Sequence, residues 1–162
     1  MSNLLLDKVI IGTWPLSGDY GRVDLKTVQD ALEYCYANNL KEFDTAPSYG
    51  NGFIEFCIGK VLGGRSDTLI NTKIGNTPFM GKSFKLEDIK SSFDQSLKRL
   101  AVESINILFL HNPRNDIDDF EKTLGFLNLL KAEGKIQHKG ISLAKNHFYP
   151  KEFLKEFDFI QD

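Results

Sequence analysis

The sequence predicts an α/β fold built on a parallel sheet, and three observations predict it. Short apolar runs alternate with longer amphipathic ones six times along the 162 residues, the rhythm of right-handed βαβ units. The run Ser104–His111 (SINILFLH) is almost wholly apolar, as in a strand covered on both faces. Hydrophobic residues make up 41% and charged residues 26%; that is the balance of an ordinary globular chain and excludes disordered, collagen-like and coiled-coil classes.

The elements follow in order. Lys8–Thr13 (KVIIGT) reads as a first strand closed by Gly12. Leu25–Asn38 reads as a helix with Asp24 as N-cap and Val28, Leu32 and Cys35 on one face. Lys41–Thr45 is a short strand, and Pro47, Gly50 and Gly52 mark a loop over Ala46–Gly52. Phe53–Leu62 is a helix stopped by Gly63 and Gly64, and Thr68–Ile74 is the third strand. Gly75–Ser83, with Pro78 and Gly81, reads as a loop. Leu86, Ile89, Phe93, Leu97 and Leu100 recur at helical spacing and define one buried stripe. After Ser104–His111 come a loop over Asn112–Asp116 and a helix over Asp118–Glu133 ended by Gly134. A strand over Ile136–Leu143, a short helix or turn over Tyr149–Glu156 and a sixth strand over Phe157–Gln161 complete the chain.

Composition also bounds function. A net charge of −2 and a pI near 5.9 provide no field for nucleic acid or an anionic membrane surface. Two cysteines, Cys35 and Cys57, are too few for a disulfide scaffold and fit a reducing, cytoplasmic setting. The start lacks the basic and apolar regions of a signal peptide, and no apolar run approaches the roughly 20 residues of a membrane span. No CxxC, HExxH or GxSxG pattern occurs, and no metal site is expected. The first strand carries no GxGxxG, and Gly59–Ser66 (GKVLGGRS) lacks the phosphate-loop pattern. The acidic run Asp116, Asp118 and Asp119 reads as a solvated helix start.

A parallel sheet is closed into a barrel or left open, and both kinds place their sites at the carboxyl ends of the strands. Asp44, Lys73, His111, Ser142 and Gln161 fall at those ends, and Tyr49 lies in the loop after the second strand. Period-two alternation sets Leu69, Asn71 and Lys73 on one face, and Ile107, Phe109 and His111 on one face of the next strand. Each residue alone has a bland reading as a cap, a solvated lysine or a satisfied histidine. Together Asp44, Tyr49, Lys73 and His111 form a convergent titratable cluster.

These residues sit in recognisable stretches. Phe43–Gly50 (FDTAPSYG) with Glu55 and Gly59, Asn71–Ile74 (NTKI), Leu108–Pro113 (LFLHNP), Gly12–Trp14, Gly134–Lys135, Gly140–Ser142 and Phe159–Gln161 occur in order across nearly the whole chain. In this the sequence resembles the aldo-keto reductase family. The resemblance implies a (β/α)8 barrel with about six βα units present, a single domain over residues 1–162, and reversible hydride transfer between NADPH, with NADH possible, and an aldehyde or ketone, sugar-like in wording. It implies a small-molecule carbonyl or sugar partner, with neither nucleic acid nor membrane. Asp44, Tyr49, Lys73 and His111 match the catalytic four. Tyr49 would be the acid–base group, with its pKa drawn down by the Lys73 ammonium. Asp44 would hold Lys73, and His111 would orient the carbonyl. Gly12, Thr13, Asp44, Ser142 and Gln161 match cofactor-binding positions, the last two those that grip the nicotinamide carboxamide, and Trp14 with Tyr49 and His111 matches the substrate pocket. One departure stands out: the family has Asn directly after the serine, and here that residue is Leu143.

The alternatives are a nucleotide-binding regulatory protein on the same scaffold and an inactive, truncated relative. An eightfold barrel needs around 250 residues, so the chain reads as incomplete at its C-terminus. Its outer strands are expected to present open edges through which copies associate, and the chain alone is expected to bind NADPH weakly.

Overall fold

The structure, a computed structural model, describes residues 9–79, 81–114, 117 and 120–162. Its elements are β1 (Ile10–Gly12), α1 (Leu25–Ala37), β2 (Glu42–Asp44), α2 (Phe53–Leu62), β3 (Leu69–Ile74), β4 (Asn76–Thr77), β5 (Gly81–Lys82), α3 (Leu86–Leu100), β6 (Ile105–His111), α4 (Phe120–Ala132), β7 (Ile136–Ser142), α5 (Lys151–Leu154) and β8 (Phe159–Gln161). The expected starts at Lys8 and Asp118, and the acidic residues Asp116, Asp118 and Asp119, lie outside the described residues.

Six strands form one parallel sheet in the order β1-β2-β3-β6-β7-β8. Every strand of this sheet lies beside its neighbours in sequence. A doubly wound sheet reverses its order at a switch point; this one does not, and it winds in one direction as a barrel does. β4 and β5 make a separate two-stranded antiparallel hairpin. This hairpin lies where the sequence reads as a plain loop, because two residues a side are too few to show alternation.

The local chemistry explains the elements. Asp24 caps α1, its Oδ1 accepting the Thr27 N–H at 2.7 Å. α3 carries Glu87 and Asp88 in its first turn and Lys98 and Arg99 in its last, both favourable to the helix dipole. The helix-facing side of the sheet (Phe43, Ile70, Ile74, Leu108, Leu110 and Ile141) packs against Val28, Leu32, Ile54, Ile58, Leu62, Ile89, Phe93, Leu100 and Leu127 in one buried core. Ile107 and Phe109 are buried on the opposite face. Two glycines set close approaches. A Cβ on Gly59 of α2 would lie 2.1 Å from the Arg99 carbonyl oxygen at the end of α3. A Cβ on Gly140 of β7 would lie 2.3 Å from the Phe109 ring. Among the described residues no helix is long and apolar enough to cross a membrane.

Candidate active site

The carboxyl ends of the strands meet in one register. Gly12 pairs with Asp44, Asp44 with Asn71, His111 with Ser142, and Ser142 with Gln161. The sheet thereby brings the expected site residues to one rim. Tyr49 reaches that rim from the loop after β2. This loop turns through three left-handed residues, Gly50 (φ 56°), Asn51 (φ 53°) and Gly52 (φ 87°), before α2 begins. Glycine meets such angles without strain, and asparagine tolerates them.

Lys73 is the hub. It is 1% exposed, and its Nζ donates to Asp44 Oδ2 at 2.6 Å, to the Thr45 carbonyl at 2.9 Å and to Tyr49 Oη at 3.2 Å. Three donors and three acceptors account for the ammonium completely. The bond from Lys73 leaves the Tyr49 hydroxyl hydrogen free to be donated elsewhere. The His111 ring stands edge-on to Tyr49, with centroids 6.3 Å apart at 87°. Thr13 Oγ1, fully buried, donates to the Asp44 carbonyl at 2.9 Å. Asp44 Oδ1, Thr45 Oγ1 and His111 Nδ1 are buried without a protein partner. Buried polar atoms left unpaired are costly; among the described residues the hydroxyls of Thr68, Ser92 and Thr123, away from this rim, are unpaired as well.

Burial sets the protonation states. It pushes the Tyr49 phenol well above its ordinary value, with the Asp44 carboxylate adding to the rise. The sequence reading has the Lys73 ammonium pulling this pKa down; here the shift is upward, set by burial and then Asp44, and Tyr49 is a protonated phenol at neutral pH. Burial also lowers the Lys73 ammonium, opposed by Asp44 and then by Glu55. The His111 imidazole falls to about 4 through burial, then Lys73 and Lys82, so it is neutral at pH 7. Burial raises the Cys57 thiol to about 11, which leaves it inert as a nucleophile.

The remaining expected residues differ in their settings. Gly12 is exposed, with open space where a Cβ would stand. Trp14 lies on a 3-10 turn over Trp14–Leu16, 46% exposed; its indole N–H donates to Asp19 and its ring meets Tyr20 edge-on. It is not in contact with Tyr49 or His111 through any ring pairing. Ser142 is buried and Gln161 partly so. Beside the rim a pocket of about 370 Å³ opens between the β5–α3 turn and the loop after β6, lined by Lys82, Ser83, Phe84, Lys85, Asn112, Arg114 and Ile117. Among the described residues no His, Cys, Asp or Glu cluster could hold a metal ion.

The contacts of two further residues were not legible in the sequence. Asn112 turns back at φ 50° and places its amide nitrogen 3.1 Å from Ser142 Oγ and 3.1 Å from the Leu143 carbonyl. This orientation is assigned from the bonding, since the reverse faces an oxygen toward the Leu143 carbonyl oxygen. Glu55 is fully buried on the helix side of the sheet, accepting from Thr72 Oγ1 at 2.7 Å and from Arg99 Nε at 2.7 Å.

Comparison with known proteins bears on the family and the fold. The pattern of the Aldo/keto reductase family matches residues 8–149. L-galactose dehydrogenase of Arabidopsis thaliana is 31% identical over a 147-position alignment that covers 87% of this chain and 46% of that protein. The holo form of aldo-keto reductase AKR11C1 from Bacillus halodurans shares the fold with a TM-score of 0.79 at 28% identity, over 94% of this chain and 52% of its own. An aldo-keto reductase from Klebsiella pneumoniae solved with NADPH gives a TM-score of 0.69 over 91% of this chain and 48% of its own; at 24% identity it speaks for the fold alone. The chain thus spans about half the length of the relatives it matches, and its curled sheet is part of a (β/α)8 barrel.

Proposed function

The chain belongs to the aldo/keto reductase family, and from that premise we propose that it carries the catalytic half of a nicotinamide-dependent oxidoreductase that interconverts a small aldehyde or ketone, sugar-like compounds included, with its alcohol. The observation that carries this reading is the buried Lys73 Nζ joined at once to Asp44 (2.6 Å) and Tyr49 Oη (3.2 Å).

In the reductive direction a carbonyl oxygen gathers negative charge and takes up a proton. Tyr49, held protonated by burial and by Asp44, is the proton donor. Lys73 fixes the phenol oxygen and adds a positive charge beside the developing oxyanion. Asp44 and the Thr45 carbonyl hold Lys73 in place. His111, neutral at pH 7, orients the carbonyl oxygen by a hydrogen bond rather than by full charge. The cofactor, NADPH with NADH as the alternative, supplies the hydride. Ser142 and Gln161, adjacent in register at the rim, present a hydroxyl and an amide, the groups a nicotinamide carboxamide requires. Gly12 and Thr13 complete the rim beside Asp44, and Trp14 would border the substrate from the β1 side.

Tyr49→Phe tests the assignment. Turnover with NADPH and a small aldehyde should fall by on the order of 10²–10⁴, while nucleotide binding, read from fluorescence of Trp14, should persist. Undiminished turnover would overturn it.

A further inference from the structure

We infer that the pocket between the β5–α3 turn and the loop after β6 is an anion subsite, and that it takes the carboxylate or phosphate end of the carbonyl substrate. The inference rests on the proposed oxidoreductase reading and names a substrate class for it.

The pocket is anchored to the two strand ends that carry Lys73 and His111. On one side the Ser83 N–H donates to the Gly75 carbonyl at 3.0 Å, and Gly75 follows Lys73 by two residues. The Phe84 ring lies against Gly75 so closely that a Cβ there would stand 2.2 Å from it. On the other side Asn112, the residue after His111, lines the pocket, and its carbonyl accepts from Lys82 Nζ at 3.3 Å. β3 and β6 are neighbours in the sheet, so both anchors hold the pocket beside the rim. Ser142 and Gln161, read as cofactor contacts, stand on β7 and β8, on the far side of β6. The pocket therefore falls on the side left to the substrate.

Its lining sets its chemistry. Lys82, Lys85 and Arg114 bring three cations, and no carboxylate lines it among the described residues. Lys73 has all three of its donors engaged, whereas Lys82 spends one on Asn112 and keeps two. Lys85 and Arg114 make no ion pair among the described residues. The guanidinium offers the forked donors that match a carboxylate or a phosphate. Asp88 is committed elsewhere: it accepts from Ser83 Oγ at 2.5 Å and lines a separate hollow with Thr77 and Pro78. The N-cap of α3 is Lys85, which provides no side-chain acceptor for the first-turn N–H groups. Phe84 and Ile117 add carbon to the wall, which suits an organic anion better than a bare ion. The volume of about 370 Å³ is that of a small-molecule site. The charge here also reaches the rim, since Lys82, after burial and Lys73, is a cause of the lowered His111 pKa.

Two measurements on the chain test this, one without turnover and one with it. Inorganic phosphate and acetate, each exchanged for chloride at constant ionic strength, should shift the backbone amide NMR signals of Ser83, Phe84 and Lys85 saturably at millimolar concentration. Lys85→Gln combined with Arg114→Gln alters two exposed side chains, leaves Lys82 on Asn112, and should abolish the saturation. Turnover with NADPH is then compared within two pairs of aldehydes: 5-oxopentanoate against its methyl ester, and glyceraldehyde 3-phosphate against glyceraldehyde. The anionic member of at least one pair should have the higher kcat/KM by about tenfold, the worth of two exposed charge contacts, and the pair that responds identifies the anion. The double variant should bring that ratio to within about twofold. Equal kcat/KM within both pairs would overturn the inference and leave the oxidoreductase reading standing. No turnover of any of the four would remove that reading, and the substrate class with it. Amide signals that do not respond, the result if Asp116, Asp118 and Asp119 further along the sequence cancel the three cations, would also overturn it. Phosphate shifts displaced by NADPH alone would assign the pocket to the cofactor and overturn it too.

Discussion

Two buried ion pairs stand back to back across β3. Thr72 and Lys73 are consecutive, so their side chains leave opposite faces of the sheet. On the helix side Thr72 meets Glu55, which pairs with Arg99 at 2.7 Å. On the other side Lys73 meets Asp44 at 2.6 Å. In distance the two pairs are alike, but they differ in burial and in completeness. Both Glu55 oxygens are bonded, one by Thr72 and one by Arg99, and the Arg99 side chain keeps 21% of its surface in solvent. Asp44 has one oxygen bonded and one buried without a partner, and the unpaired Nδ1 of His111 lies at the same rim. A closed pair locks α2 and α3 onto the sheet. An open pair leaves buried polar atoms unpaired, at a cost in stability that the closed pair helps to offset; on the proposed function those atoms are the ones a reacting molecule would meet.

The largest effect that would sharpen this contrast is on the closed side. Arg99→Met leaves the Glu55 carboxylate buried without its counter-charge. Unfolding in urea should show a loss of about 3–5 kcal/mol, while the activity of each folded molecule is little changed. A loss under about 1 kcal/mol would mean that the pair does not lock the helices.

The next effect is a pH dependence belonging to the open side. The His111 imidazole has its pKa lowered from 6.5 to about 4 in the folded chain. The unfolded chain therefore binds more protons between those values, and stability rises with pH across that window. This contribution is complete above pH 6.5 and is lost as the pH falls toward 4, on the order of 3 kcal/mol in all. His111→Gln should flatten that part of the stability profile measured by denaturant titration from pH 4 to 7. An unchanged slope would place the titration elsewhere.

The smallest effect should come from replacing the open pair as a whole. Asp44→Asn combined with Lys73→Met removes both charges from the interior, and such replacements are often neutral or stabilising. The thermal midpoint should hold or rise while turnover is lost. A fall of several kilocalories per mole in stability would show that the open pair is structural after all.

How much of this was legible beforehand depends on the range of the interaction. The alternation in TLINTKI and SINILFLH puts Lys73 and His111 at one end of the sheet, and Asp24 announces the start of α1. These are local signals. Glu55 appears in the sequence only as one residue of a resemblance, because its partners Thr72 and Arg99 are 17 and 44 residues away. The contact of Asn112 with Ser142 was hidden because it depends on a left-handed turn that periodicity does not encode. The direction of the Tyr49 shift is not legible either: a neighbouring ammonium can be read from a motif, but the burial that raises the phenol belongs to the folded packing.

The neighbour-only strand order also has a kinetic meaning. The paired strands are joined across separations that run from 19 residues, Gly140 to Phe159, to 36 residues, Asn71 to Ile107. Loop-closure entropy grows only with the logarithm of length, so the longest and shortest of these closures differ by roughly 0.6 kcal/mol. Chain entropy therefore hardly ranks the pairings, and apolar burial decides which forms first. That favours β3, β6 and β7, which unite Ile70, Ile74, Leu108, Leu110 and Ile141 in the core, as the folding nucleus, with β1 and β8 added last. The strands that bear Lys73 and His111 would then be the first to find each other, before any site exists for them to serve.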